Sequence, residues 1–494
     1  MKKIYLKNLL SIFKNIKIKN TIIKNIKTDS KLIKNKDLFI STKCFENNKK
    51  NIINSLDNGA SAALVSTDIK SKNNKVIFYK RKQIIFVYKL NKYLSKIFSI
   101  FYKNPSKYMK VIGVTGTNGK TTVSNIILQW INLLGKKSAT IGTIGNGIFN
   151  KIKQTDYTTD LPSTVQRTLN DFRKNKVKYV SMEVSSHGLS QYRVDGVNFY
   201  ISIFTNLSQD HLDYYKNMKE YEKSKWRLFS KLKVKKYVIN FDDYVGKKWL
   251  YKKKNAVAVS SKCKTLYKFY KYWLFAKNIS FHKNFTKINF SSIWGDGSIS
   301  TKFIASFNIN NILLSLTTLL LLGFSKNDLI KCSKYLNPVC GRMEKFFRKK
   351  FPKVIVDYSH NPESLKQSLM YVKKNCEGKI WCIFGCGGNR DKLKRPIMGN
   401  IASFYSDNLI LTNDNPRFES EINIIKDILK GVDISKNIYI IYDRNEAIKF
   451  SLLNANLNDF VIICGKGHEV YQIIKNKKIY QSDRELVKKI INIK

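Results

Sequence analysis

Short strand-like apolar runs alternate along this chain with longer stretches whose apolar positions recur at helical spacing, the pattern of a layered α/β protein. The segment 110–131, KVIGVTGTNGKTTVSNIILQWI, joins an apolar strand, a Gly-rich turn and a long helix, which is a phosphate-binding βα unit in form. Runs at 178–182, 199–204 and 237–240 predict further strands of the same parallel sheet. A helix predicted over 311–322 leads to Asn337 and Pro338, where the pattern breaks. Beyond it, 353–357, 379–384, 409–412, 438–442 and 460–464 read as strands of a second doubly wound sheet. Ahead of the phosphate unit, runs at 37–41 and 60–65 predict a small α/β unit. The expected architecture is therefore α/β in three domains: a small N-terminal unit over 1–110, a central P-loop ATPase-like parallel sheet over 111–338, and a C-terminal Rossmann-like domain over 339–494.

With 494 residues, 43% of them hydrophobic and 25% charged, the chain can bury several cores and is too apolar to be disordered. Lys plus Arg number 90 against 35 Asp plus Glu, a formal net charge of +55. A balance so basic ordinarily points to nucleic acid or an anionic membrane surface. Only 12 of the 90 are Arg, however, and the lysines run from Lys2 to Lys494 among abundant Asn and Ile instead of clustering. That reads as compositional drift, because a nucleic-acid surface concentrates its cations and favours Arg for bidentate contacts. Each Arg kept in such a chain is accordingly expected to need its planar fork. Eight cysteines without a CxxC pair read as free thiols in a reducing compartment. The N-terminus has no small-residue cleavage site, and the apolar run 312–324 is interrupted by Ser315, Thr317 and Thr318 and is too short to cross a bilayer. A cytoplasmic monomer is expected, with no nucleic-acid partner and no membrane insertion.

The segment Gly116-Thr117-Asn118-Gly119-Lys120-Thr121-Thr122 holds what a nucleoside triphosphate requires. Glycines let backbone N–H groups converge on phosphate, Lys120 brings charge, Thr121 offers a hydroxyl to magnesium, and the helix N-terminus adds its dipole. The strict GxxxxGK[ST] spacing is broken, since Val114 stands where the first Gly should be. Glu183 is expected at the carboxyl end of a strand beside this loop, where it can hold magnesium or simply be a solvated strand end. His211 is open to the same two readings. His187 and His360, as single imidazoles, read equally well as structural hydrogen-bond partners.

Six blocks together resemble the Mur ligases, ATP-dependent amide ligases that add amino acids to the UDP-N-acetylmuramoyl peptide precursor of peptidoglycan. They are GTNGKTT, MEVSSHGL at 182–189, TNLSQDHLDYY at 205–215, SFNINN at 306–311, GRMEKF at 341–346 and VDYSHNPESL at 356–365, in the family's order. A further stretch, Asp414-Asn415-Pro416-Arg417, resembles the motif of the branch that adds meso-diaminopimelate to UDP-N-acetylmuramoyl-L-alanyl-D-glutamate. Diaminopimelate has a distal carboxylate that lysine lacks, and an Arg fork matches a carboxylate bidentately. Arg193, Arg342, Arg390 and Arg417 all fall within family blocks, as their scarcity suggests.

The resemblance implies an ATP-dependent acid–amino-acid ligase with Mg²⁺ as cofactor. It implies ATP at 116–122, with Asn308, Arg342 and Asp357 completing the nucleotide site. Thr158, Thr159, Ser185, Gln191 and Arg193 would hold the UDP-linked peptide, with Ser30 at the uridine. Arg390, Asp414, Asn415, Pro416, Arg417, Gly465 and Glu469 would hold the incoming amino acid. Thr121, Glu183, His211 and a carbamylated Lys225 would serve metal, and Lys120, Lys225 and His211 would carry the chemistry. Carbamylation needs a neutral amine, so Lys225 should be buried or beside another cation.

The first domain matches the family weakly: Phe45, Glu46 and Asn47 occupy its uridine-contacting loop, whose usual Asp-Gly is replaced around Asn48 and Lys49. Tyr157 stands where the family usually has Asn. Rival readings are a lysine-adding ligase, opposed by Arg417; a folylpolyglutamate synthase, opposed by Thr158, Gln191 and Arg193; and a P-loop ATPase stimulated by nucleic acid. The reading requires that the glycine cradle and the C-terminal guanidinium face one another.

Overall fold

The computed structural model describes residues 4–13, 16–282 and 284–492. Besides two two-stranded ribbons, Ile4–Tyr5 with Ile22–Ile23 and Tyr471–Ile474 with Lys477–Tyr480, the described residues form three large sheets that follow one another along the chain. The first has five strands in the order Ile26–Lys27, Leu38–Cys44, Ala62–Thr67, Lys82–Tyr88, Val76–Tyr79, all parallel except the last pair. Its alternation is complete: Leu38, Ile40, Leu64, Ile85 and Val87 face one buried cluster with Leu6 and Ile97, whereas Phe39, Ala63, Val65, Ile84 and Phe86 face another with Ile52 and Leu56.

The central sheet has eleven strands. Its parallel core runs Ser138–Gly142, Tyr179–Glu183, Lys110–Thr115, Phe199–Phe204, Val234–Asn240, Val257–Ser260, Trp273–Phe281. Helices Lys120–Leu133 and Phe307–Leu321 cover one face through residues such as Ile126, Trp130, Ile312 and Leu316. Helices Pro162–Lys174, Met218–Ser230 and Tyr244–Lys252 cover the other through Leu169, Leu228 and Trp249. Both ends of the sheet are extended by antiparallel strands, at 145–153 and 286–301; the latter alternate buried and less buried residues and so carry no continuous apolar run. The helix expected over 311–322 begins earlier, at Phe307.

The third sheet runs Glu344–Phe346, Lys353–Asp357, Phe460–Cys464, Ile380–Phe384, Asn408–Leu411, Asn437–Ile440, parallel except for its first strand. The α/β class with parallel-sheet cores is thus the one expected. All eight cysteines are free, and among the described residues no helix is long and apolar enough to cross a membrane. The carboxyl ends of Lys110–Thr115, Tyr179–Glu183 and Phe199–Phe204 deliver Thr115, Glu183 and Phe204 to one edge, where open parallel sheets place their ligands.

Candidate active site

The strand Lys110–Thr115 ends in a loop that only glycine can make. Gly116 and Gly119 have φ of 152° and 85°, and a Cβ on Gly116 would lie 1.8 Å from Thr205 Oγ1. Thr117 and Asn118 direct their amides to Asn206, leaving the amides that open the helix Lys120–Leu133 for an anion. Lys120 Nζ folds back to the carbonyls of Gly116 and Thr117, at 2.9 and 2.7 Å. Thr121 donates to Glu183 Oε2 at 2.9 Å and accepts from Arg342 Nη2 at 3.2 Å. Glu183 also accepts from the amide and hydroxyl of Thr143, at 2.8 and 3.0 Å. The strand-end carboxylate is therefore part of the cradle, not a solvated end.

Lys225, on the helix Met218–Ser230, is 1% exposed and donates to the Gly116 carbonyl at 2.7 Å, its ammonium 4.4 Å from the Tyr221 ring centre. Burial, reinforced by the neighbouring Lys120, lowers its pKa well below the usual lysine value. Burial lowers Lys120 too, although Glu183 and Asp210 oppose the shift. His211 is pushed down to about 3 by burial, against the pull of Asp210, and so is neutral and able to ligate. A hydroxyl, a carboxylate and a neutral imidazole are hard-to-borderline donors suited to Mg²⁺, and a buried amine with a lowered pKa is what carbamylation requires, so these residues fit the metal that the resemblance implies.

Around this cradle lie two cavities that share Asn118, Gly119, Thr122, Arg342 and Tyr358. One, of about 660 Å³, is walled by Asn308, Asn311, Asp242, Asp357 and Phe307. The other, of about 530 Å³, contains Lys120, Glu183, His211 and Lys225 together with Thr158, Thr159, Ser185, Arg193 and Arg390. Its first wall is continuous: Thr158 accepts from Thr143, Thr159 donates to the Glu183 carbonyl, and Arg193 donates to Thr159 O and Gln191 Oε1, both at 2.6 Å. Tyr157 packs against the Arg193 guanidinium at 5.0 Å. Ser30 lies elsewhere, on a 3-10 turn of the first domain where it donates to Asn51, and does not line this cavity.

Among the described residues of the third domain, only Arg342, Tyr358, His360 and Arg390 line this cavity. Asp414, Asn415, Pro416, Arg417, Gly465 and Glu469, expected to share it, line neither cavity and form a cluster tied to the Arg390 loop; Gln191 lines neither cavity either. Gly388 N donates to Asn415 O at 2.9 Å and Arg417 Nη1 donates to Gly388 O at 3.0 Å, tying the loop of Arg390 to that of Arg417. Burial, and after it the nearby Arg390, lowers the Arg417 pKa, while Asp414, Glu469 and Tyr358 oppose the shift. Asp414 is part-buried, and Lys466 and Arg444 outweigh its desolvation and hold its carboxyl below the ordinary range. Gly465 packs against Asp414, while Glu469 accepts from Lys466 at 3.0 Å and from Asn415 and Tyr358 at 3.3 Å. The cluster thus sets the cationic Arg417 and Arg390 beside the carboxylates of Asp414 and Glu469.

The comparisons with known proteins place the chain in a family. The Mur ligase middle domain matches residues 114–319, and the Mur ligase glutamate ligase domain matches 341–467. A UDP-N-acetylmuramoyl-L-alanyl-D-glutamate--2,6-diaminopimelate ligase of Wigglesworthia glossinidia brevipalpis is 48% identical over 92% of each chain. The chain belongs to the Mur ligase family. A solved structure bearing the same enzyme name superposes with a TM-score of 0.69 at 29% identity, covering 99% of both chains. The MurF ligase of Thermotoga maritima, solved in complex with ADP, shares the fold at a TM-score of 0.62 and 18% identity over 89% of this chain and 93% of that one.

Several residues of this Mur ligase site escaped the sequence reading. Asp210, 4% exposed, faces His211 Nε2 at 3.7 Å from its own domain and His360 Nε2 at 3.5 Å and Lys394 Nζ at 3.8 Å from the third. His360, read as structural or functional with equal weight, thus sits across the domain boundary. Asn118 and Asn361 exchange hydrogen bonds at 3.3 and 2.9 Å across the same boundary. Neither Asp210 nor Lys394 had a spacing signal; both lie beside residues that did, within QDHLD and RDKLKRP.

Proposed function

We propose that this Mur ligase joins meso-diaminopimelate to the D-glutamate end of UDP-N-acetylmuramoyl-L-alanyl-D-glutamate at the expense of ATP, in peptidoglycan synthesis. In this reading the cavity with Asn308 and Asp357 takes the nucleoside of ATP, and the glycine loop takes its phosphates. Thr158, Thr159, Ser185, Gln191 and Arg193 hold the UDP-linked dipeptide so that its free carboxylate attacks the γ-phosphorus, breaking the bond to ADP and forming an acyl phosphate. The amine of diaminopimelate, held by Asp414, Asn415 and Glu469, then attacks the acyl carbon. The tetrahedral intermediate loses inorganic phosphate and a proton, leaving the amide.

Both steps build negative charge, which Lys120, Arg342 and the helix amides stabilise in a site shielded from bulk water. Mg²⁺ held by Thr121, Glu183, His211 and a carbamylated Lys225 would supply further charge neutralisation. Arg417 and Arg390 grip the distal carboxylate and so distinguish diaminopimelate from lysine. Water exclusion follows from cross-domain bonds such as Asn118 to Asn361, since an acyl phosphate exposed to water is hydrolysed.

The observation that carries the reading is that Arg390 lines the same cavity as Lys120 and Lys225, with the Arg417 loop tied to the Arg390 loop through Gly388. ATP-dependent phosphate release, measured with the UDP-linked dipeptide and either meso-diaminopimelate or L-lysine, tests it. Diaminopimelate should be strongly preferred; equal use of the two would refute the acceptor assignment.

A further inference from the structure

Arg395 stands in the first turn of the helix Lys394–Tyr405, the end where the helix dipole opposes a cation, and it is 0% exposed. In a chain with 12 arginines, a buried guanidinium at an unfavourable helix end calls for a reason. Its fork closes on Glu419 at 2.7 and 2.8 Å, and it reaches Asp427 at 3.1 Å and the Gly387 carbonyl at 3.2 Å. Glu419 in turn accepts from the Asn389 amide at 3.0 Å and donates its own amide to Pro416 O at 3.0 Å. Asn389 precedes Arg390, and Pro416 precedes Arg417. The Arg395 hydrogen bonds pull the Glu419 carboxyl down to about 2, so the pair stays charged throughout the physiological range.

We infer that Arg395, acting through Glu419, is a positioning residue that sets the spacing between the two loops carrying Arg390 and Arg417, and thereby the enzyme's discrimination for an acceptor with a distal carboxylate. The inference rests on the acceptor reading above. A bidentate clamp fixes two loops at once; a lysine would hold one oxygen and leave the Gly387 carbonyl without its donor.

The test is steady-state kinetics of the full chain as wild type, Arg395→Lys and Glu419→Gln, with KM measured separately for ATP, the UDP-linked dipeptide and diaminopimelate, and L-lysine as competitor acceptor. The variants should raise the diaminopimelate KM about tenfold or more and lower the preference over lysine about as much, with the other two KM values within about twofold. An unchanged diaminopimelate KM, or a loss of kcat shared by all substrates, would overturn the positioning role as a general structural one. Should Arg395→Lys fail to fold, Glu419→Gln, whose side chain is partly at the surface, decides alone. A wild type indifferent to the distal carboxylate would bring down the acceptor reading and this inference with it. A wild type that discriminates, with variants that discriminate equally, would bring down only the inference.

Discussion

In the proposed reading, the phosphate cradle and the acceptor wall solve the same problem, holding a charged group in a partly dry cleft, by opposite means. The cradle is made of backbone: a seven-residue loop fixed by two glycines, a helix terminus and one strand-end carboxylate. The acceptor wall is made of side chains from four separate segments, braced by buried ion pairs such as Arg395 with Glu419 and Arg444 with Asp483. A backbone site tolerates drift around it, because its geometry depends on few side chains. A side-chain site depends on every brace, since removing one partner leaves a buried charge uncompensated.

The sharpest way to break this contrast is Lys120→Ala. It should leave folding intact, because Lys120 bonds only to its own loop carbonyls, while phosphate release falls by a factor of about 100 or more, corresponding to about 3 kcal/mol of transition-state stabilisation. Loss of stability comparable to the loss of turnover, measured by thermal melting, would show that the cradle needs its side chain to form.

Arg417→Ala comes next. Removing one charge-assisted contact to a carboxylate should lower kcat/KM for diaminopimelate by about 10- to 100-fold and leave the weaker lysine reaction nearly unaltered. Competition assays with both acceptors read this directly, and a parallel fall for lysine would mean that Arg417 holds the loop and not the ligand.

Acid sensitivity samples both regions at once, through His211 in the cradle and His468 beside the acceptor wall, each pushed down to about 3 mainly by burial. Both are neutral in the folded chain, whereas an unfolded histidine titrates at its ordinary 6.5. Between these values the unfolded state binds more protons, so stability must fall as pH drops from 6.5 toward 3. His468→Asn should flatten part of that slope, by about 1 kcal/mol between pH 7 and 5 after allowance for partial solvent exposure, as read by denaturant unfolding at the two pH values. An unchanged slope would mean that the native fold leaves the His468 pKa at its unfolded value.

The smallest effect is expected at Tyr157→Asn. The exposed ring contributes only a cation–π contact to Arg193, worth about 0.5–1 kcal/mol, so the KM for the UDP-linked dipeptide should move about two- to fivefold with kcat unchanged.

How far the chain could be read in advance follows the same division. GTNGKTT was legible because its residues are contiguous and each does a task that its chemistry predicts. Glu183 was half legible: its place at a strand end followed from the apolar run, but its bonds to Thr121 and Thr143 depend on parallel pairing of Tyr179–Glu183 with Lys110–Thr115. The scarcity of Arg was a better guide than its use suggested. It singled out four site residues, and followed further it would also have reached Arg395 and Arg444, whose forks brace the acceptor wall. The antiparallel strands at 286–301 escaped because one-sided burial leaves no continuous apolar run.

By itself, the sequence determined the layered α/β class and the glycine loop, because each of these is encoded by local periodicity or contiguous glycines. Tertiary structure alone decided that Asp210 meets His360 and Lys394 from another domain, that Lys225 is buried beside Lys120, and that Arg390 looks into the same cavity as the cradle. The reason is physical: charge, burial and proximity between residues far apart in the chain arise only when separate sheets dock, and no local pattern specifies how they do so.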